Sequence, residues 1–160
     1  MRKTLHTFLS KLQHPDVYLL HSDMWGMPTA GNVINCGIQE TNMVNIAAGL
    51  ASQGKKVVIY GVAGFVIYKA YEQIKLYIKG WAEHHGSIVF VNAGHNGCYS
   101  ICGRGHLVYD DHLLMNALEI PLFDPPDRKT FLRNVKDGLK TPGVRFIRSG
   151  YDGEVWQKSQ

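Results

Sequence analysis

Glu40 is the only charged residue between Gly37 and Ala51. It stands where a glycine-bearing loop, Gly37-Ile38-Gln39, runs into a segment with Met43, Ile46, Ala47 and Leu50 at helical spacing. An acid near a helix N-terminus is favoured by the helix dipole and ordinarily faces water among other charges. This one has only apolar and amide neighbours, a setting in which a carboxyl group is held for its proton. A second group is Phe65, Tyr68 and Tyr71, spaced by three after the turn Gly61-Val62-Ala63-Gly64. Aromatics at that spacing share one side of a helix start and are ordinarily core. A third is the loop with His95, Cys98, Cys102 and His106. Two thiolates and two imidazoles could close a tetrahedral zinc site, although the spacing matches none of the usual finger patterns.

These residues need elements to position them, and the chain alternates between two kinds. Helical periodicity covers residues near 2 to 13, with Leu5, Phe8, Leu9 and Leu12 on one face. Asp16 to Leu20 reads as a short buried strand, and a glycine-rich loop from Asp23 to Asn32 leads to Val33-Ile34-Asn35. The helix that opens near Glu40 closes at Gln53-Gly54-Lys55, a C-terminal glycine cap. Lys56 to Tyr60 is a strand, and Phe65 to Lys79 a helix. Ser87 to Val91 is the next strand, before a long loop from Ala93 to His106. Helices near Asp110 to Leu118 and Arg128 to Leu139 precede a last strand, Val144 to Ile147. Such alternation predicts an α/β three-layer sandwich with a largely parallel sheet. The nearly unbroken apolar strand runs agree, since such strands are covered on both faces. Ligands of such sheets bind beyond the carboxyl ends of the strands. The loops after Leu20, Tyr60 and Val91 are therefore where a site is expected.

Composition narrows the classes. With 160 residues and 45% hydrophobic content, the chain reads as one domain over residues 1–156, with a frayed tail at 157–160. No apolar run reaches the ~18 residues of a membrane span. Met1-Arg2-Lys3 is basic, but no signal-peptide pattern follows. A net charge of +4 is modest. The basic residues Arg128, Lys129, Arg133 and Lys136 are flanked by Asp127 and Asp137. They read as a solvated helix face, so no nucleic-acid partner is expected. Three cysteines, an odd count, disfavour an extracellular disulfide framework and point to the cytoplasm.

The stretch Gly37-Ile38-Gln39-Glu40-Thr41-Asn42-Met43, followed by Ala47-Ala48-Gly49-Leu50-Ala51, resembles the pyrimidine-binding domain of transketolase-type, thiamine-diphosphate-dependent enzymes. Their signature runs Gly-Ile-x-Glu-x-Asn-Met, then an Ala-Ala-Gly-Leu-Ala helix, a glycine turn and a strand. The resemblance implies the thiamine diphosphate-binding fold. It implies that Glu40 meets N1' of the cofactor's aminopyrimidine and activates the neighbouring amino group. Phe65, Tyr68 and Tyr71 would form the aromatic wall of that pocket, and Asp23 would organise the cofactor loop. Counting from Tyr71-Glu72-Gln73-Ile74 instead brings the family's wall phenylalanine nearer Val66. His95 and His106 would face the substrate channel and assist proton transfers. Arg148 aligns with an arginine that grips a substrate phosphate.

There are departures. Asn96 replaces an aspartate, the loop is one residue shorter, and Cys102 stands where many relatives carry an aspartate that reads a sugar hydroxyl. A phosphorylated ketose is therefore not implied firmly, only a small sugar or oxo substrate. No Gly-Asp-Gly with a following Asn occurs. In the family that motif holds the diphosphate through Mg2+, an oxygen-ligated ion. Relatives also continue into a further C-terminal domain of about 130 residues. The resemblance thus implies one subunit of a split enzyme that transfers a two-carbon unit and is active only with a partner chain. That partner would carry the diphosphate and Mg2+ half. A heterotetramer with two copies of each chain is expected, pyrimidine domains paired at the centre. The alternatives are a subunit of a split thiamine-dependent 2-oxoacid decarboxylase or dehydrogenase, and a non-catalytic subunit that kept the fold.

Overall fold

The computed structural model describes residues 7–8, 11, 14–24, 27, 31–93 and 102–149. Six strands form one sheet: β1 (Val17–His21), β2 (Val33–Asn35), β3 (Lys56–Val62), β4 (Ser87–Ala93), β5 (Leu122–Phe123) and β6 (Gly143–Arg148). Their order is β2-β1-β3-β4-β6-β5, and every neighbouring pair is parallel. The four principal helices among the described residues are α1 (Glu40–Ser52), α2 (Ala63–Gln73), α3 (Asp111–Ala117) and α4 (Arg128–Gly138).

Alternation along the central strands explains the layers. Val57 and Ile59 of β3, with Ile88 and Phe90 of β4, point into one cluster with Met43, Ala47, Val66, Ile67 and Met115. The residues between them, Val58, Tyr60, Val89 and Val91, point into a second cluster with Phe131, Val135 and Leu139 at α4. A sheet buried on both faces needs apolar residues at both parities. Each fully buried valine or isoleucine contributes roughly 1.5–3 kcal/mol. The three-layer sandwich with a largely parallel sheet, read from the sequence, is the one observed, and every strand pair in it is parallel.

Most expected elements appear within a residue or two. Gly54 takes φ 76°, and its N–H caps the Ala51 carbonyl of α1 at 2.9 Å. At the chain's start, residues 7, 8 and 11 are helical and Phe8 packs on the second cluster. The rest of that expected helix lies outside the described residues, as does the tail.

One difference is informative. The helix expected from Phe65 to Lys79 is not continuous: Ala70 leaves helical geometry (φ −110°, ψ 18°), and Ile74–Lys79 is wound as a π-helix. The Thr41 hydroxyl donates to the Lys69 carbonyl at 3.1 Å. Occupying a helix carbonyl from outside is a recognised cause of a kink. It also ties the start of α1 to the middle of α2.

Candidate active site

The C-terminal ends of the parallel strands hold the chemistry-bearing residues. Glu40 is the first residue of α1, after a loop in which Gly37 takes φ 70°. Its carboxylate is buried, 3% exposed. The residue before it, Gln39, makes no side-chain cap to this helix start. Glu40 itself meets the positive end of the dipole, a favourable placement for an anion. Its carboxylate is paired with Lys69, whose Nζ lies 3.0 Å from Oε2. Lys69 reaches from α2, and its side chain is 48% exposed. A pocket of about 350 Å³ opens here, lined by Ile38, Gln39, Glu40, Thr41, Asn42, Asn45 and Lys69.

Phe65 stands in the first turns of α2, half-buried. Its ring makes an edge contact with the His106 imidazole, centroids 4.9 Å apart. Lys69 Nζ lies 4.9 Å from the centroid of the same ring. Phe65 thus joins His106 to the Glu40–Lys69 pair. Val66, the other candidate for that wall, is fully buried in the core. Tyr68 is half-exposed and donates a short hydrogen bond to Asp110. Desolvation of its hydroxyl, then the Asp110 carboxylate, pushes its pKa up to about 12, so it acts as a donor. Tyr71 turns to the first core cluster. Phe65 and Tyr68 therefore meet the 104–110 segment, whereas Tyr71 packs against the core.

His106 lies in a short 3-10 turn, Arg104–His106, and its buried Nδ1 has no hydrogen-bond partner among the described residues. His95 and Cys98 lie outside the described residues. Cys102 is an exposed free thiol. Among the described residues no cluster of three or more His, Cys, Asp or Glu could hold a metal ion.

Asp23, past the end of β1, takes a left-handed backbone, φ 47°. Asn35 holds it there: Asp23 N–H donates to Asn35 Oδ1 at 3.0 Å, and Asn35 Nδ2 donates back to Asp23 Oδ1 at 3.1 Å. The same Asn35 Oδ1 accepts the Gly37 N–H at 2.9 Å. One amide therefore fixes both the Asp23 loop and the approach to Glu40. Sequence reasoning missed Asn35. Its only signal was an Asn between an apolar run and a glycine, a common turn former.

Arg148, at the end of β6, is held on all three sides of its guanidinium. It donates to Asp111 through Nε at 2.8 Å and Nη2 at 2.7 Å, and to Asp124 through Nη1 at 2.8 Å. The Asp111 carboxylate, then that of Asp124, holds it firmly protonated. A phosphate would have to displace these carboxylates. Lys69 was also missed, because a lysine on a helix face is usually solvated and only the packing of α2 against α1 aims it at Glu40.

The all-parallel sheet flanked by helices has the thiamine diphosphate-binding fold, as its likeness to solved structures shows. A split-gene transketolase, an inactive β4 tetramer, superposes with TM-score 0.74 at 23% identity, over 93% of this chain and 50% of that one. A transketolase variant from Pichia stipitis gives 0.68 at 18% identity, over 92% of this chain and 25% of that one. A candidate thiamin diphosphate-dependent enzyme from Mycobacterium smegmatis gives 0.65 at 17% identity, over 94% and 31%. These likenesses establish the fold.

Sequence similarity is more specific. The chain is 28% identical over 147 residues to an apulose-4-phosphate transketolase subunit of Phocaeicola vulgatus, covering 86% of this chain and 46% of that protein. It is 48% identical over 86 residues to an uncharacterised 33.6 kDa protein of the Rhodococcoides fascians fasciation locus, covering 54% and 27%. The chain thus spans less than half the length of these relatives. No family model matches it. The similarity to the transketolase subunit extends over most of the chain. No helix among the described residues is long and apolar enough to cross a membrane.

Proposed function

We propose that this chain supplies the aminopyrimidine half of a thiamine diphosphate site in a split transketolase-type enzyme. The observation that carries the reading is the buried carboxylate of Glu40, at a helix start, bordering a pocket and set beside the Phe65 ring through Lys69. These residues fit an aminopyrimidine: a carboxyl for a ring nitrogen and an aromatic face for the ring. The diphosphate and Mg2+ are a different matter, since the sequence carries no Gly-Asp-Gly with a following Asn. A separate chain with that half is supported by two relatives, one named as a transketolase subunit and one as a split-gene enzyme. A heterotetramer is the corresponding assembly.

Thiamine diphosphate, when bound, supplies the carrier for a two-carbon ketol fragment, while the protein contributes orientation and electrostatics. Glu40 holds a proton at N1' of the pyrimidine, a role for a carboxyl in a water-poor site. Phe65 and Tyr68 shape the wall, with Tyr71 behind them. Asp23, fixed by Asn35, orders the adjacent loop. His106, with His95, donates and accepts protons at substrate hydroxyls, since a neutral imidazole carries one donor and one acceptor nitrogen. Arg148 is the candidate for an anionic end of the substrate once it exchanges Asp124, its more exposed partner.

The test is calorimetry with thiamine diphosphate and Mg2+. The chain alone should bind poorly and show no transferase activity. Adding the chain that carries the diphosphate motif should restore Mg2+-dependent binding and turnover. Tight, Mg2+-dependent binding by this chain alone would overturn the split reading.

A further inference from the structure

Lys69 touches both halves of the proposed pyrimidine pocket. Its Nζ is 3.0 Å from Glu40 Oε2 and 4.9 Å from the Phe65 ring centroid. A carboxylate and an aromatic face are the two surfaces an aminopyrimidine would use, one for a ring nitrogen and one for stacking. The ammonium engages both at once. Its backbone is anchored below, where the Thr41 hydroxyl holds the Lys69 carbonyl at 3.1 Å. Its side chain is half-exposed, with solvent to move into.

We propose that Lys69 is a resident occupant of the aminopyrimidine pocket, a residue that holds Glu40 until the cofactor ring displaces it and that thereby sets cofactor affinity. This rests on the proposed function above.

The physical argument concerns what each partner loses. A buried carboxylate without a partner is costly, so Lys69 keeps Glu40 satisfied and correctly turned while the pocket holds no ring. The ammonium loses less on leaving than a buried cation would, because its own side chain is half-exposed and a compact cation on a flexible stem rehydrates readily. A ring whose nitrogen meets Glu40 across one proton, taken up from solvent as the ammonium leaves, and whose face meets Phe65 replaces both contacts together. A smaller molecule that replaces only one leaves Glu40 unpaired. The exchange therefore discriminates for a ligand with both features.

The experiment uses the full chain and an aminopyrimidine fragment, 4-amino-5-hydroxymethyl-2-methylpyrimidine, with binding followed by NMR. Lys69→Met keeps the stem and removes the competitor, so it should bind the fragment about fivefold tighter, the scale of an exchangeable ion pair. Lys69→Arg should bind no more tightly than wild type. In a Glu40→Gln background Lys69→Met should bring no gain, since the two residues act on one interaction. With isotopically dimethylated lysines in the wild-type chain, the Lys69 signal should move toward that of a solvated lysine as fragment is added. This measurement does not depend on any variant folding. Equal or weaker binding by Lys69→Met, or an unmoved Lys69 signal while Glu40→Gln abolishes binding, overturns the role of Lys69 and leaves the pocket intact. Binding that ignores both residues, or no binding by any chain, removes the pocket and the inference with it.

Discussion

Two buried carboxylates, Glu40 and Asp111, are each matched to a cation, and they are built differently. Asp111 is 1% exposed and takes two bonds from the fork of Arg148, whose third arm goes to Asp124. Arg148 itself is only 17% exposed. That closed arrangement fastens α3 to the end of β6. Glu40 is as buried, but its partner is a single half-exposed ammonium and a pocket opens beside it. A planar, pre-organised fork suits permanence, and a hydrated point charge on a flexible stem suits exchange. Burial alone therefore does not separate the two acids. The exposure of the partner does.

Asp111→Ala acts on stability. Removing one member of a buried pair costs ~3–5 kcal/mol. We expect about 3 kcal/mol in urea unfolding, the lower end, because Asp124 remains to hold Arg148. A loss below about 1 kcal/mol would mean the pair is as exchangeable as that of Glu40.

Glu40→Ala should do the reverse. Turnover in the assembled enzyme should fall at least ~100-fold, the scale of lost acid–base assistance. The fold should persist, since alanine favours the helix and Lys69 can turn to water. Exchange of the cofactor's C2 proton at the wild-type rate would show that Glu40 is not the activating carboxyl, and the contrast with Asp111 would fail.

His106→Ala probes the neighbour of the Phe65 ring. Loss of one substrate hydrogen bond should lower kcat/KM about tenfold with cofactor binding almost unchanged. The zinc alternative is read from the same protein by metal analysis. About one zinc per chain, released in Cys98→Ser, would replace the substrate roles of His106 and His95 with a structural one, as a tetrahedral site tolerates no missing ligand.

The smallest effect is expected at His21, a buried imidazole held by a backbone contact instead of a cation or carboxylate. Its Nδ1 accepts from the Met24 N–H at 3.2 Å, and its Nε2 has no partner among the described residues. Burial holds the imidazole below its usual 6.5, with Asp23 opposing weakly. The unfolded chain then takes up the proton first, so this contribution to stability is present above about pH 6.5 and is lost as pH falls toward the folded value. Urea midpoints at neutral and mildly acid pH should show that decline in wild type and less of it in His21→Gln. An equal decline in both would assign it to other groups.

Much of this was legible along the chain. The break from glycine loop to apolar helix placed Glu40 in a first turn, because helix starts are set by a few adjacent residues. The two-sided apolar strands gave a parallel sheet, because coverage on both faces leaves no polar parity. Sheet topology then placed the loops after β1, β3 and β4 at one edge. Less local features were not legible. The kink at Ala70 lies beside a bond that Thr41 brings from α1, and Asp23 is held by Asn35 across 12 residues. Arg148 reads alone as a free phosphate fork until α3, 37 residues back in the chain, brings it Asp111. Lys69 reads as one more solvated lysine until α2 packs on α1 and bridges 29 residues to Glu40. The sequence by itself determined which carboxylate is isolated from other charges and which elements carry it. The tertiary structure decided which cation meets each carboxylate, because the cost of leaving a buried charge unpaired is met only by side chains brought from distant elements.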